Sequence, residues 1–241
     1  MTHTEQLLAL RERPPLRAAM LQSWRDLLFL HRSIDPAAIQ ALLPPGLEVD
    51  TWEDKAWVGL VPFHMEGIRP TWGPAVPWLS AFPETNVRTY VRHGDRPGVW
   101  FFSLDAARWL ACAYARQFFG LPYYHSEMST RRVGQQLAYR TDRKGSHLSL
   151  DIEATFSEPF QEAAPDTFEF WLLERYLLYA LKSGKLYEGQ VAHPPYTFSP
   201  ARVVRCEQNL TEHVLGKPQP WEHVAFSPGV EVEVFSIQEV R

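Results

Sequence analysis

The chain has 241 residues, of which 45% are hydrophobic and 22% charged, as in ordinary soluble globular proteins. Its 24 lysines and arginines are outnumbered by 28 acidic residues, and no sustained basic run occurs, so we expect no nucleic-acid partner. The N-terminus lacks the pattern of a secretory signal, and no stretch approaches the ~20 apolar residues of a membrane span. We therefore expect a cytoplasmic protein that does not contact a membrane.

Hydrophobic patterning and chain-breaking residues predict many strands and a few short helices. The predicted helices cover residues 4–13 in an N-terminal extension of residues 1–16, a segment from an Asp35 cap to Pro44, and residues 106–119 and 166–173. The predicted strands, in chain order, are residues 21–34, 47–50, 56–65, 85–92, 99–104, 135–141, 147–156, 176–181, 186–192, 198–208 and 230–237.

The helix predicted at residues 106–119 is apolar on almost every side. Asp105 is placed to cap its first turn, and Gly120 is placed to end it. A helix without a polar face belongs inside a protein, so we expect this one to be buried.

Hairpin-length spacing between these strands predicts an α+β fold that is mostly β. We expect one domain over residues 1–241, in which a curved, mostly antiparallel sheet carries flanking helices. A curled sheet of this size can enclose a small ligand cavity.

No recognisable motif for a cofactor or a metal occurs. The nine histidines share no metal-ligand spacing, and the common nucleotide and hydrolase motifs are absent, so we expect neither a metal nor a cofactor. Cys112 and Cys206 are far apart and lack zinc-type spacing, so we expect two buried free thiols.

Residues 82–128 hold the candidate site. Glu84 begins a predicted strand, and alternation puts Asn86 and Arg88 on the same strand face. Arg108 and Arg116 lie on the helix that we expect to be buried, where an unpaired charge would be costly.

Two interpretations of this segment remain open. Arg116 either forms a structural ion pair, with Glu84 or another acid, or holds an anionic ligand. Tyr123, Tyr124 and His125 follow the helix, where the phenols either pack or help to move a proton.

Several blocks of the sequence resemble a known family. HRSIDPAAIQALLPPGLEVD, AWVGLVPFHM, FPETNVRTYV, PGVWFFSLD, ARQFFGLPYY and LLERYLLYA look like the YqjF-like family of uncharacterised bacterial proteins, over residues 24–199. That family is similar in fold to acetoacetate decarboxylase. The resemblance implies a curved antiparallel sheet that closes as a cone-like barrel with the pocket inside.

The order of parts agrees with the decarboxylase. A segment that begins with proline follows the second helix at residues 44–49, and Phe82-Pro83-Glu84 comes later in the chain. A strand ending in Asp105, a helix carrying Arg116, and Leu121-Pro122 come next. Glu84 matches the acidic pocket residue of the family, whereas Arg25 lies one position away from the arginine of its first strand, a shift that turns a side chain to the other face.

The departure from the decarboxylase concerns its two adjacent lysines. The first forms a Schiff base and the second lowers its pKa, but Tyr123 and Tyr124 stand at those positions. A phenol cannot form an iminium ion, so decarboxylation by that route is not expected. We expect the five lysines of the chain to lie in turns or polar loops. They are Lys55, Lys144, Lys182, Lys185 and Lys217.

Three hypotheses follow. The first is an acid–base enzyme acting on small carbonyl or carboxylate compounds, in which Glu84 moves a proton, Tyr123 or Tyr124 donates to an oxyanion, and Arg116 fixes an anion. Its further substrate-binding candidates are Arg88, Arg25 and His125. The second is a barrel that binds a small ligand without catalysis. The third is an assembly protein and possible homo-oligomer, whose contact surface is the proline-rich loop of residues 70–83 with Trp72 and Trp78.

Overall fold

The computed structural model describes residues 1–76, 80–216 and 220–240. Within these ranges the protein is mostly β, with short helices. The helices are α1 (His3–Arg11), α2 (Pro36–Gln40), α3 (Trp109–Phe119), α4 (Phe168–Leu173) and α5 (Glu212–Leu215). The strands are β1 (Met20–Ile34), β2 (Glu48–Val49), β3 (Ala56–Pro70), β4 (Phe82–His93), β5 (Arg96–Ala106), β6 (Tyr123–Val133), β7 (Gln136–Arg143), β8 (Ser149–Phe156), β9 (Gln161–Glu162), β10 (Leu177–Lys182), β11 (Lys185–Ala192), β12 (Thr197–Gln208), β13 (His223–Val234) and β14 (Gln238–Glu239).

The described strands join into one extended, mostly antiparallel sheet. Its order is β14-β11-β10-β5-β6-β7-β8-β12-β13-β1-β3-β4-β2, with β9 against β12. Two further pairings, β4 with β5 and β11 with β13, join strands that are far apart in this order. The sheet must therefore curve strongly, as predicted.

Adjacent residues of β1 are buried in two different cores. Leu27 and Phe29 belong to one apolar cluster, whereas Leu28 and Leu30 belong to another. Successive side chains of a strand point to opposite faces, so β1 is covered on both sides. In the second cluster lie the alternating apolar residues of β8, including Leu150 and Ile152, which confirms the pattern predicted for residues 147–156.

Two local signals in the sequence produce the predicted structure. The Asp35 side chain accepts a hydrogen bond from the backbone N–H of Ala37 and starts α2, which ends at Gln40, before the predicted stop. Gly120 adopts a left-handed conformation, with φ of 67°, and ends α3.

Asp105 is not the cap of α3, and the prediction is wrong on this point. Asp105 lies inside β5, fully buried, and α3 begins three residues after that strand, at Trp109. Its carboxylate accepts hydrogen bonds from Nε and Nη2 of Arg143, at 2.8 and 2.6 Å, and from Ser126 Oγ at 2.6 Å. A long-range ion pair therefore takes the residue that local sequence assigns to a helix cap.

The prediction of a buried α3 is also wrong. Only Cys112 of this helix is buried, while the side chains of Trp109 and Phe118 are 60% and 55% exposed. The helix is the crossover between β5 and β6, which pair in parallel, and such a connection must run over a face of the sheet. One side of α3 faces the sheet and the other faces solvent.

Sequence patterning also missed β6. Its residues are mostly exposed and show no apolar periodicity. The strand is nevertheless fully paired, with β5 over residues 123–125 and with β7 from Ser126 to Val133. Both cysteines are free, Cys112 buried and Cys206 partly buried. No helix within the described ranges has the length and apolar character needed to cross a bilayer.

The buried Asp105–Arg143 pair leads to a stability prediction. Arg143→Met leaves a buried carboxylate without its cation, so the free energy of unfolding should fall by about 3–5 kcal/mol in urea denaturation. Arg140→Met, on the same strand, removes an exposed pair with Asp142 and should cost less than about 1 kcal/mol. Equal losses in the two variants would contradict the importance assigned to the buried pair.

Candidate functional site

A cavity of about 1050 Å³ is lined largely by strands of the sheet. Its walls come from β1, β3, β4, β5 and β10, and α3 covers part of it. Most of the lining side chains are apolar. Volumes near 300–1,000 Å³ are typical of sites for organic ligands, which combine apolar walls with a few polar groups.

Strand β4 supplies a polar stripe to this cavity. Glu84, Asn86 and Arg88 all line it, as the period-two alternation of a strand predicts. Their neighbours Thr85 and Val87 point away, and Val87 packs in the second core. The stripe runs about 13 Å from Glu84 to Arg88, at roughly 3.3 Å per residue.

Glu84 is the chemically unusual residue of the stripe. Its side chain is almost completely buried, and the hydroxyl of Tyr123 donates a hydrogen bond to Oε2 at 3.0 Å. Burial raises the pKa of Glu84 from 4.5 to about 8, although hydrogen bonds from Tyr123 and Asn86 favour the ionised form. The negative charge of Asp105 adds to the rise. At neutral pH the carboxyl group is therefore mostly protonated and can donate a proton.

The parallel pairing of β5 and β6 brings Tyr123 to Glu84. Tyr123 pairs with Leu104 on β5, and Glu84 pairs with Ala106 of the same strand. Burial raises the pKa of Tyr123 well above its usual value, and the nearby Glu84 adds to this, so its phenol stays protonated. In the structure the neutral phenol of Tyr123 is a hydrogen-bond donor to Glu84.

Tyr124 faces the other side of β6. It is 41% exposed, does not line the cavity, and stacks against the guanidinium of Arg143 at 4.0 Å from its ring centre. Period-two alternation makes this separation unavoidable, because consecutive strand residues point to opposite faces. Of the two tyrosines named from the sequence, the structure brings only Tyr123 to Glu84.

Three other candidates from the sequence lie outside the cavity lining. Arg116 is exposed on α3, and His125 is exposed on β6. Arg25 forms an ion pair with Glu231 on the neighbouring strand β13. Trp24, one position earlier, lines the cavity instead, so the one-residue offset does turn Arg25 away from the cavity. Neither Arg116 nor Arg25 contacts Glu84.

Arg175 is a cavity residue that sequence reasoning missed. It follows α4 and is buried, with Nη1 donating to Asp50 at 2.6 Å and Nε donating to the Trp171 carbonyl at 2.7 Å. Its Nη2 is buried without a hydrogen-bond partner among the described residues. The LLERY segment gave no signal of this placement, because only the tertiary fold brings it to β4.

A chain of hydrogen bonds runs behind Arg88. Nη2 of Arg88 donates to the Tyr90 hydroxyl at 3.4 Å, and that hydroxyl lies 2.6 Å from Nε2 of His31. Nδ1 of His31 lies 3.0 Å from Nδ1 of His223. Burial lowers the pKa of His31 well below its usual value, and His223 and Arg88 add to this, so His31 is neutral and contributes no charge.

No lysine within the described ranges lines the cavity. Lys182 is partly exposed and donates a hydrogen bond to the Phe118 carbonyl at 3.3 Å, while Lys217 lies outside the described residues.

Trp72 is exposed at the cavity edge, and Trp78 lies outside the described residues. An assembly surface on this loop, and homo-oligomerisation, stay predictions. Residues 1–76, 80–216 and 220–240 hold no group of three or more side chains suited to a metal ion.

Comparison with known proteins places these features in a family. A family model, DUF2071, described as an uncharacterized conserved protein, matches residues 21–231. The uncharacterized protein YqjF of Bacillus subtilis is 40% identical over 200 residues, covering 80% of each chain.

Three solved structures share the fold. An acetoacetate decarboxylase-like enzyme from Sphingomonas wittichii has a TM-score of 0.67 at 14% identity, covering 94% of both chains. The acetoacetate decarboxylase of Legionella pneumophila has a TM-score of 0.65 at 14% identity, covering 95% of this chain and 93% of its own. The enduracididine biosynthesis enzyme MppR, complexed with the condensation product of pyruvate and imidazole 4-carboxaldehyde, has a TM-score of 0.68 at 12% identity, covering 93% and 90%.

The raised pKa of Glu84 leads to a prediction about stability. Between pH 4.5 and 8 the unfolded chain loses this proton while the folded protein keeps it, so folding becomes less favourable as pH rises. Glu84→Gln removes the effect. The stability gain of this variant over wild type should therefore grow from pH 5 to pH 8, by at most about 1.4 kcal/mol per pH unit.

Urea denaturation at several pH values measures this gain. The exposed Glu127→Gln serves as the matched control and should show no such growth with pH. A stability difference between Glu84→Gln and wild type that stays constant from pH 5 to pH 8 would contradict a neutral Glu84.

Proposed function

The chain belongs to the DUF2071 family of uncharacterized conserved proteins, and we propose that it is an acid–base enzyme that works without a Schiff base. Its substrates are carbonyl or carboxylate compounds bound in the cavity. The observation that carries the proposal is the buried carboxyl group of Glu84, which accepts a hydrogen bond from Tyr123 and faces a largely apolar cavity. Burial raises its pKa to about 8, so the group holds a proton that it can donate at neutral pH.

The similar structures support the substrate class. MppR, which shares the fold, was solved in complex with pyruvate, a small carbonyl acid. Fold alone does not fix activity, so the proposal depends on the site residues of this chain.

We also propose that the curved sheet closes around the cavity as a cone-like barrel within a single domain, an arrangement supported by the pairing of β4 with β5.

In the proposed reaction Glu84 is the general acid. It donates its proton to the carbonyl or enolate oxygen of the substrate as negative charge develops there. The Tyr123 hydroxyl and the Asn86 amide then stabilise the carboxylate that remains. The Glu84 carboxylate regains a proton from the reacting molecules, from the α-carbon of the substrate in enolisation or from the water that adds to the carbonyl carbon in hydration, and dehydration is the reverse of that addition. Enolisation, hydration and dehydration are the reaction types that this proton transfer serves.

Arg88 is the proposed anchor for the substrate anion. It lines the cavity on the same strand face as Glu84, and its Nε is buried without a hydrogen-bond partner among the described residues. A guanidinium binds a carboxylate through parallel N–H donors. Arg116, Arg25, Tyr124 and His125 have no part in this proposal, because they lie outside the cavity lining.

A β-keto-acid decarboxylase is disfavoured. That reaction by the iminium route needs an amine close to the substrate, and the described cavity wall holds phenol, carboxyl, amide and guanidinium groups instead. The same observation favours a second candidate function, a ligand-binding protein without catalysis. Native mass spectrometry of the purified protein would then find a retained small molecule, with no turnover of any substrate tested.

Turnover assays with oxo acids and unsaturated acids test the enzymatic proposal, with the carbonyl or double bond placed several carbons from the carboxylate because Arg88 and Glu84 are about 13 Å apart along β4. Glu84→Gln should lower kcat by about 10²- to 10⁴-fold, because an amide cannot transfer the proton. Because the protonated form is required, kcat/KM of wild type should fall as pH rises through about 8.

Tyr123→Phe tests the role of the hydroxyl that contacts Glu84, and Tyr124→Phe is its matched control. Loss of the Tyr123 hydroxyl should slow turnover about 10-fold or more, because the Glu84 carboxylate then loses a charge-assisted hydrogen bond. The Tyr124 hydroxyl does not reach the cavity, so its loss should leave turnover unchanged. Equal turnover in wild type and Glu84→Gln would overturn the assignment.

A further inference from the structure

We propose that Arg88 and Arg175 together form a carboxylate-binding site at one end of the cavity, and that the ligand is a carboxylic acid with a bulky apolar body. This inference deepens the proposed function. It rests on that proposal because it takes the same cavity as the ligand site. It adds Arg175 to the site and specifies the class of ligand.

Both guanidinium groups lie against the same aromatic ring. The Cζ atom of Arg175 is 4.9 Å from the centre of the Tyr90 ring, and that of Arg88 is 5.6 Å from the same centre. Both side chains line the cavity. Each also has one buried N–H group without an acceptor among the described residues, Nη2 of Arg175 and Nε of Arg88. A buried donor without an acceptor is costly, and these two belong to cationic groups in the wall of one cavity, where a ligand could supply the acceptor.

The charges of this region do not balance. Asp50 neutralises Arg175, and Glu174 is paired with Arg11. Arg88 forms no ion pair with any described residue, and burial lowers the pKa of the nearby His31 so that it carries no charge. One positive charge therefore remains at this end of the cavity. A single carboxylate would supply the missing charge and accept from both free donors.

The remaining cavity is much larger than a short acid needs. Its volume of about 1050 Å³ is at the upper end of the range for drug-sized ligands. Most of the cavity wall consists of apolar side chains, among them Met65, Phe82, Phe101 and Leu178. These surfaces favour an alkyl or aryl body, with the carboxylate at Arg88 and Arg175 and the reacting group about 13 Å away along β4, near Glu84.

Calorimetric titration of the full chain with sodium alkanoates tests this site. Affinity should rise from butanoate to octanoate by about three- to fourfold for each added methylene group. Octanoate should bind at least tenfold more tightly than octan-1-ol, which has the same chain without the charge. 4-Phenylbutanoate distinguishes an aryl body from an alkyl body.

Arg88→Met should weaken octanoate binding by about 10- to 100-fold, because it removes a charged hydrogen-bond donor, and should change octan-1-ol binding less than twofold. Arg92→Met is the matched control on the same strand, since Arg92 pairs with Asp95 outside the cavity lining. It should leave both affinities unchanged. We avoid Arg175 as the test variant because its loss would leave Asp50 buried and without its main partner.

The results separate this inference from the proposed function. Octanoate binding that depends on Arg88, without any turnover, supports the carboxylate site and contradicts the enzyme. Turnover that depends on Glu84, with octanoate and octan-1-ol bound equally, overturns the carboxylate site and leaves the enzyme supported. If Arg88→Met does not fold, the comparison of octanoate with octan-1-ol on the wild-type protein still tests the carboxylate site. Absence of octanoate binding to the wild-type protein also overturns the inference.

Discussion

A carboxyl group withdrawn from water must either find a cation or keep its proton, and this constraint organises the site. Asp105 and Glu84 lie on the paired strands β5 and β4, and both are buried. Asp105 is bound by Arg143, whereas Glu84 has only the neutral donors Tyr123 and Asn86. The charged Asp105 makes ionisation of Glu84 still harder. Burial and this nearby negative charge together keep Glu84 protonated at neutral pH.

The cavity combines two kinds of polar group that are costly to bury. At one end a carboxyl group is held in its protonated form, and at the other two guanidinium groups have donors without acceptors. Neither arrangement favours the empty folded state, since replacing such groups by apolar ones commonly stabilises a protein. Sites that retain costly groups commonly use them for binding or catalysis, which is the physical basis of the function proposed here.

Local signals in the sequence were sufficient to predict much of this arrangement. The alternation that starts at Glu84 correctly puts Asn86 and Arg88 on one face, and Asp35 and Gly120 mark helix ends as expected. Long-range contacts were not predictable in this way. Asp105 has the local signature of a helix cap, but its partner Arg143 is 38 residues away in sequence. Nothing near Arg175 indicates that it reaches β4, and the apolar composition of α3 does not show that one side faces solvent.

The central claim is that Glu84 is neutral at physiological pH, and its titration can be followed directly. Carbon-13 NMR of side-chain carboxyl groups, with the Glu84 signal assigned by its loss in Glu84→Gln, gives the pKa of this residue in the folded protein. The account predicts a midpoint at about pH 8. A midpoint near 4.5, the ordinary value for a solvated glutamate, would contradict it.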